Sequence, residues 1–444
     1  MPRNRPFAAP PPLLLLAALL PRLAGGAGGG CRGALDCSLN GACVGGACAC
    51  DKGWTGSSCG VLDLEPAVAG EGLGGLQSNF SSWGNSVRRW PTTGPRPGDG
   101  RWYMAADVMD RGCGMSSYGQ NSRCVMASSP NAAGPYSVVG GVMDAFCHGS
   151  SLGRDPLSGR WIHGHLGSGD GTSCIQCSGG VTPPKPYRHG PCTNTTALQT
   201  PSALIADSPL GPWTPAPELI DAPNAEPFFL RNGTLFYVSP WQNLSSGDAG
   251  CDNQLAFLSL SRAESLSDAL AGRWTYKNAA PTLRLARSNE SSPCVNWEGN
   301  NLWVDRRGHF HTLAHAWRAQ PTDYPLPGCG SGPPYNAKTA RHPSLARPGE
   351  FCTSLGGHAF SLDGRVWYVS PIAPYNNTVR YASGQTLVVR ARERPHLVFD
   401  DEGQPSYLAN ALGAPGAAGG SGGGNGGVPG ADHAFVQHIK LRGV

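Results

Sequence analysis

GDGRWYMAADVM (98–109) sets an Asp-Gly turn directly before an apolar strand, and RCVMASSPNAAGPYSVV (123–139) adds a second strand and a second turn. The pair recurs as DPLSGRWIHGHLG (155–167) with ALIADSPLGPWTP (203–215), and as FFLRNGTLFYVSP (228–240) with LAFLSLSRAESLSDALAGRWTY (255–276). It returns as LWVDRRGHFHTLAHAW (302–317) with GHAFSLDGRVWYVS (357–370), and as LVFDDEGQPSYLANAL (397–412) with HAFVQHIKL (433–441). Asp-Gly and Asn-Gly supply the positive φ angles that tight hairpin turns require. Flanking runs such as LFYVS and VWYVS are aromatic and β-branched, as buried strands are.

Five copies of one turn–strand unit predict an all-β fold: a five-bladed β-propeller over residues 78–444, one four-stranded blade per copy. The rival, a β-sandwich of irregular hairpins, has no reason to repeat the same pair of turns. SRAESLSDAL (261–270) alone carries a helical pattern and is expected as a short surface helix. Two stretches read as insertions: 174–201, with Cys174, Cys177 and Cys192 among prolines, and the Gly/Ala-rich loop 411–430, which cannot pack a core.

Upstream, Arg3 and Arg5 precede the apolar run Leu13–Leu20 and small residues near Ala24–Ala27, the pattern of a signal peptide over 1–27. That run is too short to span a bilayer, and no other segment is long and apolar enough, so no transmembrane segment is expected in the mature chain. The 16 cysteines fit an oxidising compartment, and the protein is expected to be secreted and extracellular. N-x-S/T sequons at Asn79, Asn194, Asn232, Asn243, Asn289 and Asn376 are compatible with a glycoprotein. The net charge of +4 is scattered, which argues against a nucleic-acid partner.

Residues 31–59 hold Cys31, Cys37, Cys43, Cys48, Cys50 and Cys59, with Gly53, Trp54 and Gly56 before the last. So short a segment needs covalent staples to fold. Spacing alone leaves 15 pairings open. The pattern, including GWTGSSC, resembles EGF-like modules, which implies Cys31–Cys43, Cys37–Cys48 and Cys50–Cys59. A zinc site is the rival, but the segment has no histidine. Calcium-binding EGF modules carry acidic residues before the first cysteine, where this chain has GGAGGG, so no calcium is expected there. Residues 60–77 are read as a linker, and the ten later cysteines as five loop-pinning disulfides, with Cys174 and Cys177 as an alternative redox pair.

The inner strand of each blade lines the axis of a propeller. Candidates are SSWGNSV (81–87), MDAFCHGSS (143–151), NAEPFF (224–229), NWEGNNLW (296–303) and RERPHLVF (392–399). Polar residues entering apolar strands are costly without a partner or a task. Asp144, His148, Glu226, Glu298, Arg392, Glu393 and Arg394 are therefore expected near the axis, with Asn85 beside them and Trp83 and Trp297 as platforms for a sugar face. Glu298 has a bland reading as a turn cap or partner of Arg392, and Glu393–Arg394 as a structural ion pair. His163 and His165, or His311 and His315, have spacings that can bind metal but lack a third ligand. No metal and no cofactor is expected.

The stretches CGMSSYGQNSRCVMASSPNAAGPY (113–136), WEGNNLWVDRRGHFHTLAHA (297–316), GGHAFSLDG (356–364) and RERPHLVFDDEGQPSYLANAL (392–412) resemble five-bladed glycoside-hydrolase propellers of the arabinanase and β-xylosidase type. They resemble still more a group of secreted proteins coupling such propellers to EGF-like modules. The hydrolases resembled are inverting enzymes with an acid, a base and a tuning acid. The resemblance implies the acid at Glu226 or Glu298 and the tuning position at Asp144. The base belongs on the inner strand of blade one, where SSWGNSV has no carboxylate; the nearest is Asp107. A calcium or water at the centre of related propellers draws attention to His315 and His358. Three classes stay open: a secreted glycosidase, a non-catalytic glycan-binding or cell-surface recognition protein, and a structural platform. Carbohydrate is the expected ligand, a glycan or polysaccharide, with an extracellular protein as a further partner through the EGF-like module.

Overall fold

Five aspartates or asparagines explain why the repeat folds. In the first hairpin of each blade the side chain of Asp99, Asp155, Asn232, Asp305 or Asp400 accepts a backbone N–H from two to four residues downstream, at 2.8–3.1 Å. A glycine with positive φ follows each: Gly100, Gly159, Gly233, Gly308 and Gly403. The acceptor holds the turn closed while the glycine supplies the left-handed step.

The computed structural model describes residues 30–73, 80–169, 171, 175–177, 201–219, 222, 224–241, 256–286, 297–316, 355–389, 391–413 and 432–440. The signal-peptide reading, the bulk of both insertions, six of the later cysteines and the sequons at Asn79, Asn194, Asn243 and Asn289 lie outside the described residues.

Each turn joins the inner strand of a blade to the next strand outward. Blade one runs Ser81–Arg89, Trp102–Met109, Ser122–Ser129, Ser137–Met143, and blade two His148–Arg154, Trp161–Leu166, Pro201–Ala206, Thr214–Pro215. Blade three is Glu226–Phe229, Leu235–Trp241, Ala256–Ala263, Tyr276–Ala279. Blade four is Trp297–Val304, Phe310–Ala316, Leu355–Ser361 and Val366–Val369, with Thr282–Leu285 added in parallel at its outer edge. Among the described residues blade five has three strands: Ala391–Phe399, Pro405–Gly413 and His433–His438. The propeller is thus five-bladed, and the strands described within its blades pair antiparallel apart from that one edge.

Apolar faces close the ring. Val87, Met104 and Val125 of blade one pack on Val398, Ala409 and Val436 of blade five. Tyr103 and Met126 meet Leu152 and Trp161, Ile162 and Ile205 meet Leu235 and Tyr237, and Phe236 and Val238 meet Trp297 and Leu302.

Several expectations shift. Residues 61–73 do not hang as a linker. They lace blade five to blade one, through Glu65 N–H to His438 O at 2.9 Å, Leu73 N–H to Ala434 O at 2.9 Å, and a bridge from Leu73 to Tyr136. Residues 411–413, assigned to the Gly/Ala loop, complete the buried second strand of blade five, where Ala411 and Leu412 face neighbours. The helix is shorter than expected, Leu266–Leu270, because Ser261–Ala263 stay in the preceding strand and Ser265 caps the helix at Asp268 N.

Disulfides Cys31–Cys43, Cys37–Cys48 and Cys50–Cys59 staple the small module. Cys31, Cys37 and Cys48 cluster their sulfurs, but all three are spent in disulfides and offer no thiolate to a metal. Trp54 and Leu62 sink into an apolar cluster with Trp303, Leu313, Leu397, Leu408 and Ile439 of blades four and five. Gly53 (φ +83°) permits this approach, since a Cβ there would lie 2.9 Å from Ile439 Cγ2. Arg307 of blade four adds polar anchors at Leu39 O (2.6 Å) and the Asp51 carboxylate.

Trp54 is 4% exposed, so Trp54→Ala should cost about 3–5 kcal/mol. Denaturant unfolding of the oxidised full chain measures this. Val44→Ala, at a site 63% exposed, should stay within about 0.5 kcal/mol of wild type.

Candidate functional site

Four inner strands break their regular backbone, and in blade three the break stands just ahead of the inner strand. Gly84, Gly149, Asn224, Gly299 and Arg394 each adopt a left-handed conformation, with φ of 59°, 72°, 52°, 64° and 50°. Register shifts mark the same places between Trp83 and Ser86, Glu298 and Asn301, and Glu393 and His396. The bulges turn the flanking side chains toward the axis and the neighbouring blade.

Two residues below each bulge lies a polar ring. Ser86 Oγ donates to Leu152 O at 3.3 Å and Ser151 Oγ to Ala225 O at 2.9 Å, each reaching the next blade. Asn301 donates to Glu226 Oε1 at 2.9 Å and accepts Leu397 N–H at 2.9 Å. His396 Nδ1 meets Glu226 Oε1 at 2.8 Å, while its Nε2 contacts Arg88. Asn301 Nδ2 also stands 3.1 Å from His396 Nδ1. Glu226, expected as an acid, is thereby tied to blades four and five, with Arg88 Nη2 of blade one at 3.8 Å.

Above the bulges the mouth gathers different chemistry. Glu298 Oε1 accepts from Arg394 Nη2 at 2.8 Å and from Asn224 Nδ2 at 2.6 Å. Arg394 thus pairs with Glu298 across blades, rather than with Glu393 beside it. His315 Nδ1 accepts the Arg394 amide at 3.3 Å, and its Nε2 stands 3.8 Å from both Glu298 Oε2 and Glu393 Oε2. Burial pulls the His315 imidazole down to about 3, against the pull of Glu298. Asp107, opposite Trp83, serves blade two as His315 serves blade five: its Oδ2 accepts Gly149 N–H at 2.8 Å. Its Oδ1 takes Ser150 N–H at 3.1 Å and Ser150 Oγ at 2.6 Å. Fully buried, Asp107 is a backbone bracket and does not face the mouth.

Sequence reasoning missed Tyr118. The residue is 40% exposed, and its ring leans on His148 with centroids 4.9 Å apart. Burial and the charge of Glu298 raise its phenol, and Arg394 opposes them. The loop beneath is fixed by the Cys113–Cys177 and Cys124–Cys147 disulfides and by Asn121 donating to Ile175 O at 2.6 Å. Cys177 is therefore no redox partner of Cys174. The one available signal was CGMSSYGQNSRC itself, a cysteine-flanked polar loop.

Other expected residues leave the mouth. Asp144 is exposed in the connection between blades one and two, because blade two begins only at His148. Trp83 and Trp297 are 1% exposed, one against Met109 and Cys113, the other between blades three and four, so neither offers a platform. Asn85 ties the blade-one seam to Asn410 O and Phe435 O at 2.9 and 2.8 Å. Arg392 braces blade five through Asn410 and Gln437 at 3.0 and 2.8 Å, and burial lowers it to about 10. His358 lies on the third strand of blade four, 3.3 Å from His311 and tilted against Trp54 with ring centroids 5.1 Å apart, so it belongs to the module junction. A cleft of about 480 Å³ lined by Trp54, Trp303, Arg307 and Phe399 also follows that junction, at the far ends of the inner strands.

Residues 34–61 match the Teneurin-like EGF domain. No curated protein matches the chain. Among solved structures it is similar to the β-xylosidase RS223 (9% identity, 85% of this chain and 95% of that one, TM-score 0.48). It is also similar to an α-L-arabinofuranosidase from Lactobacillus brevis (12%, 82% and 92%, TM-score 0.44) and a GH43_1 enzyme from Xanthomonas citri (9%, 82% and 89%, TM-score 0.45). Each is a likeness to a glycoside hydrolase at low identity.

Burial also pulls His165 of blade two down to about 4. The unfolded chain binds that proton near pH 6.5, so acid favours unfolding. Its contribution of about 3 kcal/mol is complete above pH 6.5 and lost progressively down to pH 4. His165→Phe should flatten the pH dependence of the unfolding free energy, read from urea titrations, by that amount across the window.

Proposed function

We propose that the channel mouth binds carbohydrate and that the protein recognises glycans outside the cell. Exposed Tyr118, beside the Glu298–Arg394 pair, carries this reading. A sugar presents an apolar C–H face and several hydroxyls, which suits an aromatic surface flanked by a few fixed polar groups. Glu298, Arg394 and Asn224 supply acceptors and donors held by one another, so little ordering remains for binding to complete.

Hydrolysis by paired carboxylates has less support among the described residues. Asp107 is spent on blade two, Glu226 on the lower ring, and Asp144 lies off the axis. Secretion is part of the proposal and is supported by the oxidation of every described cysteine. Among the described residues no helix is long and apolar enough to cross a membrane.

A glycan array of the full chain, followed by calorimetry on the sugars retained, tests the reading. Tyr118→Ala should bind about tenfold more weakly, ~1.4 kcal/mol, at an unchanged melting temperature. Absence of sugar binding, or equal affinity in the variant, overturns it.

A further inference from the structure

Blade two brings to the mouth an imidazole whose hydrogen can be placed. His148, 2% exposed, has Nδ1 at 3.2 Å from Asp107 Oδ2 and 3.0 Å from Ser122 Oγ. Ser122 gives its own proton to Cys147 O at 2.7 Å, so toward His148 the hydroxyl is an acceptor. Asp107, holding two backbone amides and a hydroxyl, is an acceptor as well. Nδ1 therefore carries the hydrogen and Nε2 the lone pair. Among the described residues nothing hydrogen-bonds Nε2. The charges of Glu298 and Arg394 act on this ring, and Tyr118 covers its face.

His315 is the contrasting case. Its Nδ1 lone pair is consumed by the Arg394 amide, so its hydrogen sits on Nε2, toward Glu298 and Glu393. Of these two imidazoles at the mouth, His148 alone retains an unused proton acceptor.

The geometry points to His148 as a general base, oriented by Asp107, that takes the proton of a water attacking the anomeric carbon of a bound glycoside. This rests on the carbohydrate reading above and supplies what blade one lacks, a base in place of an inner-strand carboxylate. As the water oxygen bonds to the anomeric carbon, the bond from that carbon to the leaving oxygen breaks. The water proton passes to His148 Nε2, and the leaving oxygen takes a proton from Glu298 Oε2, the oxygen that Arg394 and Asn224 do not hold. Solvent returns the imidazolium proton to Glu298, and the balance is one water consumed per bond cleaved. Burial lowers the His148 imidazole, with Asp107 and Glu298 opposing and Arg394 assisting.

The test uses aryl glycosides of each sugar that the full chain binds on the array. Wild type should turn over at least one. His148→Gln should lower kcat roughly 10²–10⁴-fold while calorimetric affinity for the free sugar holds within about threefold. His148→Ala should recover part of the lost rate with added imidazole or azide, a rescue that a folding defect would not show. Sugar binding without turnover in wild type overturns the proposal and leaves glycan recognition standing, as does full activity in His148→Gln. Loss of activity in His148→Ala without any rescue overturns it too. No sugar binding in wild type overturns glycan recognition instead.

Discussion

The molecule depends on how five strands meet at one axis. Near the axis four of the inner strands leave their own sheet register, so their amides and carbonyls must find partners in the next blade or remain buried and unsatisfied, at about 1–3 kcal/mol each. The left-handed residues at 84, 149, 224, 299 and 394 create this need, and the side chains two positions below answer it. Ser86 and Ser151 reach forward to the next backbone, and Asn301 takes the Leu397 amide. Apolar packing makes the blades adhere. The polar ring fixes their rotation about the axis, and with it the distance from Arg394 to Glu298.

That division explains what was legible in the residues. The Asx turns are local: Asp99, Asp155, Asn232, Asp305 and Asp400 act within four positions of themselves, so five copies of the turn reveal five blades. The inner strands were legible for the same reason, since each runs into such a turn. The functions of their polar residues were not. Asp107 and Asp144 look interchangeable in sequence, yet one brackets a neighbouring blade and the other lies in an exposed connection. Trp83 and Trp297 carry aromatic character that composition cannot divide between core and platform. Tyr118 faces the mouth because two disulfides and Asn121 shape its loop, a long-range cause absent from any local pattern.

The EGF-like module obeys the same logic at smaller scale. Three disulfides restrict its unfolded ensemble. Its one large aromatic, Trp54, is covered by blades four and five rather than by the module. The side chains beneath it, His358, His311 and Trp303, form a stack whose polar end is Asp305, the turn residue of blade four. One aspartate thus closes a hairpin, holds Arg307 and polarises the base of the module junction.

Asp107 and His315 occupy matching bracket positions, and the difference between them decides what each blade can offer a ligand. A carboxylate has lone pairs enough to hold an amide, a hydroxyl and an imidazole N–H together. Spending Asp107 on Gly149 and Ser150 therefore still leaves it able to orient His148. An imidazole has a single lone pair when neutral, so His315, once it accepts the Arg394 amide, can only donate. Blade four consequently turns an N–H toward Glu298 and Glu393, while in blade two the Nε2 lone pair of His148 has no hydrogen bond among the described residues. The two sides of the channel acquire opposite proton demand from one structural position, because the bracket was filled by an acid in one blade and an imidazole in the other.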